Sequence, residues 1–504
     1  TAGGYLPGPR TALSGRKPPP ALAVTTDPVS QAIVGATLVL LFVLLTLEKA
    51  HRVLVALGAV SLLWAISYLT PWRLLSFEAA HAALDLNVLL LLAGMMAVVG
   101  VLKATGVFEW AVGRLLGDRA TGAATILSLL IWATGMASAF LDNVTTVIFV
   151  TPIAWGMAQR LRVDASVFIL PVIMAANIGG AATLIGDPPN IMVGSAAGLS
   201  FTAFLVTVAP PVLVMMALLD RLMRWRFRGA LAAVTGEPVD GGEEARITDP
   251  RLLRGMLWIS GGILLGFLTH GFTGMPAAVP AVIGAAAALV LQDTLYLRTH
   301  RPSLEERRHG ILGILEHEIE WPTLVFFALL FMVVGAAVDT GVIGTLAAGL
   351  RTAIVSGSAT LGLGETGTLL FAAILILWVA GILSALVDNI PFVAVSIPII
   401  ADLSGTLAAD SSVLWWALAL GACLGGNGTP IGASANVTTL DLAARRGLRI
   451  TFREYLGVGV PVLLVTLTVA TGWLVAYVRL GNAMAAGAAV IVAGIVLAGR
   501  WLRR

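Results

Sequence analysis

Long apolar stretches, separated by short polar segments, make up almost the whole chain. The stretches 32–47 and 485–498, for example, contain no charged residue. A helix of about 20 residues crosses a hydrocarbon core about 30 Å thick, so such stretches predict transmembrane helices. Eleven crossings are predicted, near 31–48, 53–70, 87–103, 165–198, 203–223, 251–270, 276–297, 321–340, 412–444, 454–478 and 483–499. The expected fold class is an all-α polytopic membrane protein.

Two further apolar stretches, 121–159 and 366–404, are each predicted to form a pair of shorter helices. If each pair enters and leaves the membrane on one side, as a re-entrant hairpin, 25 of the 31 Lys and Arg residues fall on the same side. Basic residues accumulate on the cytoplasmic side of membrane proteins. This arrangement therefore predicts an N-terminus outside and a C-terminus in the cytoplasm.

The sequence repeats itself with an offset of 246 residues. The offset places 132–153 on 378–399 with nine of 22 positions identical, and 179–190 on 425–436 with six of twelve identical. Each copy has an odd number of crossings, so the second copy is inserted upside down. The predicted organisation is a disordered tail at 1–29, inverted repeats at 30–225 and 251–480, a cytoplasmic linker at 226–250 and an extra helix at 481–504.

Composition narrows the function classes. The chain is 58% hydrophobic and 12% charged, which is typical of a protein embedded in a bilayer. Its net charge of +3 comes without any basic stretch that carries stacking aromatics, which argues against nucleic-acid binding. Cys423 is the only cysteine, so a thiolate site for a metal or arsenic is not expected. No hydrolase or nucleotide-binding motif occurs, so we expect no enzyme activity, no cofactor and, for any use of ATP, a partner ATPase subunit.

Two Asp-Asn pairs, Asp142-Asn143 and Asp388-Asn389, interrupt the hairpin stretches at equivalent positions of the repeats. A carboxylate at membrane depth costs several kcal/mol unless its surroundings are polar or wet, and the unpaired backbone groups of a hairpin tip supply such surroundings. We expect both tips to bind substrate or a coupling ion, with sodium as one candidate. The alternative is that each Asp only caps the helix that follows it.

Gly, Pro and small polar residues interrupt two transmembrane stretches, at 179–190 and 425–436. Broken helices at equivalent positions of two repeats are typical of transporter sites, because half-helix N-termini and freed carbonyls can bind ions. A Gly-rich packing kink is the alternative. Asp187 either contacts a coupling ion or begins a turn, and Ala433 stands in its place in the second repeat.

The repeat places both tips and both breaks at similar depth, where their unpaired backbone groups can satisfy one another and bound ions. We expect Asn143, Asn190, Asn389 and Asn436 to converge on one cavity. The candidate ligands of substrate or coupling ion are Asp142, Asn143, Thr145, Thr146, Thr183, Asp187, Asn190, Asp388, Asn389, Gly426, Asn427, Thr429, Ser434 and Asn436.

The motifs at the tips and breaks resemble the ion transporter superfamily, in particular its branch of arsenite efflux permeases, the melanosomal P protein, citrate-transporter-like permeases and bacterial sodium/proton antiporters. They read LDNVTTVIFVTPI, NIGGAATLIGDPPNIM, LVDNIPF and GACLGGNGTPIGASANV. The resemblance covers about 30–480. It implies a homodimer in a bacterial plasma membrane, whose hairpins and broken helices form a transport domain that moves against a scaffold domain by an elevator motion.

The resemblance also implies a secondary transporter driven by a proton or sodium gradient. Arsenite or antimonite efflux is the leading expectation, sodium/proton antiport is the alternative, and an organic-anion permease of the citrate type is the third. Dicarboxylate members carry Ser-Asn-Thr at the tips, where this chain has Asp142-Asn143-Val144-Thr145 and Asp388-Asn389-Ile390-Pro391. Two carboxylates favour a cation or a proton and repel a polyanion unless they are protonated or paired with cations.

Overall fold

The computed structural model describes residues 27–47, 49–108, 110–111, 122–233, 247–299, 313–407 and 411–498. Within these residues the protein is helical and has no β-strand, which confirms the all-α fold class. The helices are α1 (Pro28–Leu47), α2 (Arg52–Leu69), α3 (Phe77–Ala82), α4 (Leu86–Ala104), α5 (Ala123–Phe140), α6 (Asn143–Arg160), α7 (Ser166–Gly180), α8 (Pro188–Ala197), α9 (Phe201–Thr207), α10 (Ala209–Arg226), α11 (Arg228–Ala232), α12 (Pro250–Thr273), α13 (Ala278–Thr299), α14 (Trp321–Asp339), α15 (Val342–Thr360), α16 (Glu365–Leu386), α17 (Asn389–Leu407), α18 (Ser412–Gly425), α19 (Ser434–Arg445), α20 (Phe452–Leu480) and α21 (Asn482–Ala498). Most of the predicted tail at 1–29, part of the linker at 226–250 and the end of 481–504 lie outside the described residues.

Among the described helices, 11 are long and apolar enough to cross a membrane. They are α1, α2, α4, α5, α12, α13, α14, α15, α16, α17 and α20. The number equals the predicted one, but its members differ, because three of them are hairpin helices and α15 was not predicted at all. The sequence of α15 mixes its apolar residues with glycines, serines, threonines and Arg351, and this mixture weakens the membrane signal.

Each predicted hairpin consists of two helices joined by two residues. The joining residues are Leu141 and Asp142 in the first hairpin, and Val387 and Asp388 in the second. Asp142 accepts a hydrogen bond from the backbone nitrogen of Thr145 at 2.8 Å and so caps α6. The four helices have 18 to 22 residues, so they are longer than predicted, because the apolar sequence continues right up to the polar tip.

The two Gly-rich segments separate half-helices. In the first repeat α7 ends at Gly180 and α8 begins at Pro188, and in the second repeat α18 ends at Gly425 and α19 begins at Ser434. Pro188 and Pro189 occupy the first turn of α8, where the missing backbone N–H costs no helical hydrogen bond. Several backbone groups of both breaks are therefore free to accept or donate hydrogen bonds to side chains.

The repeats share internal hydrogen bonds and contact each other reciprocally. Ser138 Oγ donates to the carbonyl oxygen of Ala176 at 2.7 Å, and 246 residues later Ser384 Oγ donates to that of Ala422, also at 2.7 Å. The half-helix α8 packs against α17 of the second repeat, and α19 packs against α6 of the first. Each break thus lies beside the hairpin of the other repeat, as a pseudo-twofold arrangement requires.

The helices pack in two groups. We call α5–α8, α10 and α16–α20 the site bundle, because this group contains both hairpins and both broken helices. The flanking bundle consists of α1–α4 and α12–α14. The bundles meet where α8 packs against α4 and where α17 packs against α14.

Candidate functional site

Asp187 lies where the two hairpin tips meet. Its side chain is buried, at 1% exposure. Asn143 Nδ2, from the first tip, donates to Asp187 Oδ1 at 3.3 Å, and Asn389 Nδ2, from the second tip, donates to Asp187 Oδ2 at 3.2 Å. No ion pair to Asp187 is found in the part of the chain that the structure describes. Both repeats therefore contribute an amide to one buried carboxylate that lacks a counter-ion there.

Buried asparagines continue this contact between the repeats. Asn177 Nδ2 donates to Asn427 Oδ1 at 3.1 Å and to Asn436 Oδ1 at 2.9 Å. At the position equivalent to Asn177, Cys423 Sγ donates to Asn190 Oδ1 at 3.3 Å. Thus Asn177, before the first break, binds Asn436 at the end of the second break. Cys423, before the second break, binds Asn190 at the end of the first break. Asn177 was missed by sequence reasoning, because a single asparagine near the end of an apolar helix gives no distinct signal.

The other polar side chains of the two breaks mainly donate hydrogen bonds to backbone carbonyls of the breaks and of neighbouring helices. Asn190 Nδ2 donates to the carbonyl of Thr183 at 2.9 Å, and Asn436 Nδ2 donates to the carbonyls of Thr429 at 2.9 Å and Gly426 at 2.6 Å. The hydroxyl groups of Thr183 and Thr429 donate to backbone carbonyls of the neighbouring hairpin helices. These candidate ligands hold the irregular segments in shape.

The two tip aspartates have different partners. Asp142 accepts from the backbone nitrogen and the hydroxyl of Thr145, within its own hairpin. Asp388 accepts from Ser434 Oγ at 2.8 Å, across to the second break, and from the backbone nitrogen of Ile390 at 3.4 Å. The difference follows from the sequence, because Pro391 stands where the first repeat has Thr145.

Two candidate residues have a buried polar atom that makes no hydrogen bond to the residues that the structure describes. They are the hydroxyl of Thr146, a residue that is 1% exposed, and Nδ2 of Asn427, a residue that is 0% exposed. Such groups are uncommon in folded proteins and are explained by an unobserved water or ion, or by a functional role.

A cavity of about 40 Å³ lies between the tips and the first break. Its polar lining from the site bundle consists of Asp142, Asn143, Asp187, Asn389 and Ser434. This space is sufficient for an ion or a few water molecules. The expectation that four asparagines face one cavity holds for only two of them, because Asn190 and Asn436 turn their amides toward the break carbonyls.

The flanking bundle adds polar residues to the cavity that the sequence did not single out. Arg52 donates from Nη1 to Ser434 Oγ at 3.1 Å and from Nη2 to Thr323 Oγ1 at 2.9 Å. Thr323 Oγ1 in turn donates to Glu320 Oε2 at 2.9 Å. Arg52 and Glu320 lie at the starts of helices, where a charged residue usually marks a membrane boundary or caps the helix. Only the packing of the two bundles therefore shows that these residues face the cavity.

Most residues that line the cavity are apolar, and the oxygen atoms of its few polar side chains favour protons or hard cations over soft metals. Carboxylate, amide and backbone oxygens are the ligands of hard cations such as sodium and calcium. No cluster of three His, Cys, Asp or Glu residues that could hold a metal ion is found among the residues that the structure describes. The site can therefore bind a proton, a weakly held monovalent cation or a small polar solute.

Comparison with known proteins shows the family to which the chain belongs. The sequence profile of the CitMHS family, described as citrate transporter, matches residues 42–421. The chain belongs to this citrate transporter family. The matched range includes both tips, the whole first break and the flanking residues Arg52 and Glu320.

Relatives of this family member span most of its length. An uncharacterized transporter of Mycobacterium bovis is 35% identical over 459 residues, which cover 88% of this chain and 98% of the relative. An uncharacterized transporter of Mycobacterium tuberculosis is 37% identical over 411 residues, which cover 79% and 88%. The P protein of Homo sapiens is 30% identical over 529 residues, which cover 89% of this chain but only 60% of that protein.

A solved structure shows the same fold. The YdaH transporter of Alcanivorax borkumensis superimposes with a TM-score of 0.55 at 16% identity, and the match covers 86% of this chain and 99% of that one. Family membership, the helical fold and the apolar spans together show that this citrate transporter family member is an integral membrane transporter.

Proposed function

We propose that this transporter is a proton- or sodium-coupled secondary carrier in which Asp187 takes up and releases the coupling ion. The observation that carries the proposal is the buried Asp187 carboxylate, held by two amides and without an ion pair among the described residues. A bare carboxylate is costly at membrane depth, so a proton or a sodium ion that neutralises it also favours its movement. Asp142 lines the same cavity and supplies a second carboxylate.

We further propose alternating access by an elevator motion, in which the site bundle moves against the flanking bundle. Both tips and both breaks belong to the site bundle, so a rigid movement would carry the whole ion site. The flanking bundle contributes the polar residues Arg52, Thr323 and Glu320 to the cavity, together with apolar side chains of α4. A homodimer and a C-terminus in the cytoplasm remain parts of this proposal.

For the substrate we propose arsenite or antimonite, exported in exchange for the coupling ion. At neutral pH these are uncharged hydroxides, which can donate hydrogen bonds to carboxylates and accept them from amides. The cavity offers both kinds of partner, in Asp142 and Asp187 and in Asn143 and Asn389. A trianion such as citrate would face three carboxylates, including Glu320, against the single guanidinium of Arg52.

Sodium/proton antiport is the second candidate function. It needs a carboxylate that binds either ion in turn, and the surroundings of Asp187 meet this requirement without any further substrate. The absence of a cationic partner for Asp187 among the described residues is the observation that favours it.

Flux into proteoliposomes under an imposed pH gradient tests these proposals. Arsenite, sodium and citrate are supplied separately, each with the gradient in either direction and with a proton ionophore as control. We expect gradient-driven, saturable arsenite movement that reverses with the gradient. Sodium movement alone would establish the antiporter, citrate movement alone would overturn the cation-coupled proposal, and no response in any arm would reject all three.

A further inference from the structure

The second tip is connected by hydrogen bonds to a positively charged residue of the flanking bundle, whereas the first tip is not among the described residues. Ser434 Oγ donates to Asp388 Oδ2 at 2.8 Å and accepts from Arg52 Nη1 at 3.1 Å. One hydroxyl thus connects the Asp388 carboxylate to a guanidinium. At the first tip Asp142 accepts hydrogen bonds only within its own hairpin among the described residues, and although Arg52 and Glu320 of the flanking bundle both line its cavity, neither is hydrogen-bonded to it.

The asymmetry has a clear origin in the sequence. The residue equivalent to Ser434 in the first repeat is Pro188, which has no hydroxyl to relay a hydrogen bond. Arg52 is the first residue of α2 and is further fixed by Thr323 at 2.9 Å and by the ring of Phe326, whose centroid lies 5.8 Å from the guanidinium carbon. Contacts within the flanking bundle therefore fix the position of the guanidinium that faces the second tip.

We propose that Arg52 is a built-in counter-cation for Asp388 that latches the site bundle in the conformation described here. A guanidinium at the second tip takes the place that a bound ion would otherwise fill, so coupling-ion uptake is left to the Asp187 side of the site. The latch rests on the proposed movement of the site bundle, but the charge pairing does not. When the bundle moves, Ser434 and Asp388 leave Arg52 behind.

Pairing is tested by a double-mutant cycle on the purified full-length protein in detergent, read as the thermal unfolding midpoint. Arg52→Gln leaves Asp388 uncompensated and should lower the midpoint, whereas Arg52→Gln with Asp388→Asn should recover most of the loss. Arg52→Lys should retain part of the stability. The same cycle with Glu320→Gln separates the alternative partner, since Glu320 is also linked to Arg52 through Thr323.

The matched control is the exposed ion pair of Arg351 and Asp402, with 40% and 45% of the side chains exposed. Its cycle should give a much smaller coupling, because exposed pairs contribute little. Additive effects of Arg52→Gln and Asp388→Asn, or recovery by Glu320→Gln alone, would overturn the pairing.

The latch is tested by labelling, which needs no transported substrate. Val437 is 37% exposed and lines the pocket that also contains Arg52 and Asp388. In a Cys423→Ser, Val437→Cys background in oriented vesicles, a membrane-impermeant maleimide should react with the cysteine at position 437 from one face of the membrane. Arg52→Gln should slow labelling from that face by about tenfold and speed it from the other, as expected for a shifted population.

Equal labelling with and without Arg52 would overturn the latch. Because neither measurement uses flux, a protein that moves none of arsenite, sodium or citrate would reject the proposed function while these results still decide the role of Arg52. A positional role is further separated from a merely structural one by Arg52→Lys, which should restore the labelling pattern.

Discussion

Asn143 and Asn389, which occupy equivalent positions of the two repeats, donate hydrogen bonds to the same carboxylate, that of Asp187. The repeat partner of Asp187 is Ala433, so two symmetric donors meet one acidic group. The two tip amides and the tip carboxylates Asp142 and Asp388 thus recur in both repeats, whereas the carboxylate of Asp187 occurs in the first repeat alone. This arrangement supports the proposal that Asp187 takes up and releases the coupling ion.

Replacing Asp187 by Asn should remove coupling and leave the fold intact. An asparagine has nearly the same shape but cannot bind a proton, so we expect gradient-driven flux to fall by about 100-fold. The measurement is flux into proteoliposomes at matched protein content, checked by size-exclusion chromatography. Asp441→Asn, which breaks an exposed ion pair with Arg445, is the control and should transport normally. Undiminished gradient-driven flux in Asp187→Asn would contradict the central role of this carboxylate.

Truncating the amide side chain of either Asn143 or Asn389 should also reduce gradient-driven flux. A hydrogen bond to a charged group contributes about 1.5–3 kcal/mol, so Asn143→Ala or Asn389→Ala should each reduce flux by about tenfold or more. The double variant should be less impaired than the product of the two, because both act on Asp187. Initial rates over a range of coupling-ion concentrations measure this. A strong effect of one variant with none of the other would show that the two tips are not equivalent.

Much of the site could be predicted from the sequence, because its residues interrupt apolar stretches with a constant offset. The tips at Asp142 and Asp388 and the breaks around Asp187 and Ser434 all stand out in this way. Arg52 and Glu320 could not be recognised, since charges at helix starts are common and nothing along the chain indicates that they face the tips. Their role depends on how two bundles pack, which periodicity does not encode.

The helix α15 shows a second limit of sequence reasoning. Its residues alternate apolar positions with Gly, Ser and Thr, and it buries only 22% of its most apolar window. No helix is therefore predicted from the sequence between α14 and α16. The helix packs against α17, α16 and α14, and these contacts appear only in three dimensions.

Labelling of single cysteines should establish the orientation predicted from charge. Arg160 and Ser200 lie on either side of the broken stretch formed by α7 and α8, and Arg446 precedes α20, whose last residue is Leu480. In a Cys423→Ser background, cysteines at Ser200 and Leu480 should react with an impermeant maleimide from outside, and those at Arg160 and Arg446 only from inside. Reaction of Arg160→Cys and Leu480→Cys from the same face would refute the inverted topology.

The closest backbone approach in the site bundle predicts a rank order of glycine substitutions. A Cβ at Gly179 would lie 2.2 Å from the carbonyl oxygen and 2.4 Å from the Cα of Gly135, and one at the equivalent Gly425 would lie 2.7 Å from the carbonyl oxygen of Gly381. Backbone atoms cannot rotate away as a side chain can, so α5 and α7, or α16 and α18, would have to separate.

The higher helix propensity of alanine stabilises the protein and so opposes the effect of the clash. The control must therefore be a Gly→Ala substitution in a helix with space for the added Cβ. Alanine gains about 1 kcal/mol over glycine within a helix, whereas overpacking costs typically about 1–3 kcal/mol and here involves main chain. Gly472, in α20, has no heavy atom within 4 Å of an added Cβ, so Gly472→Ala should be neutral or stabilising. We expect thermal unfolding midpoints to fall in the order Gly472→Ala, Gly425→Ala, Gly179→Ala. A midpoint for Gly179→Ala equal to that of Gly472→Ala would show that α5 and α7 are not held at this distance.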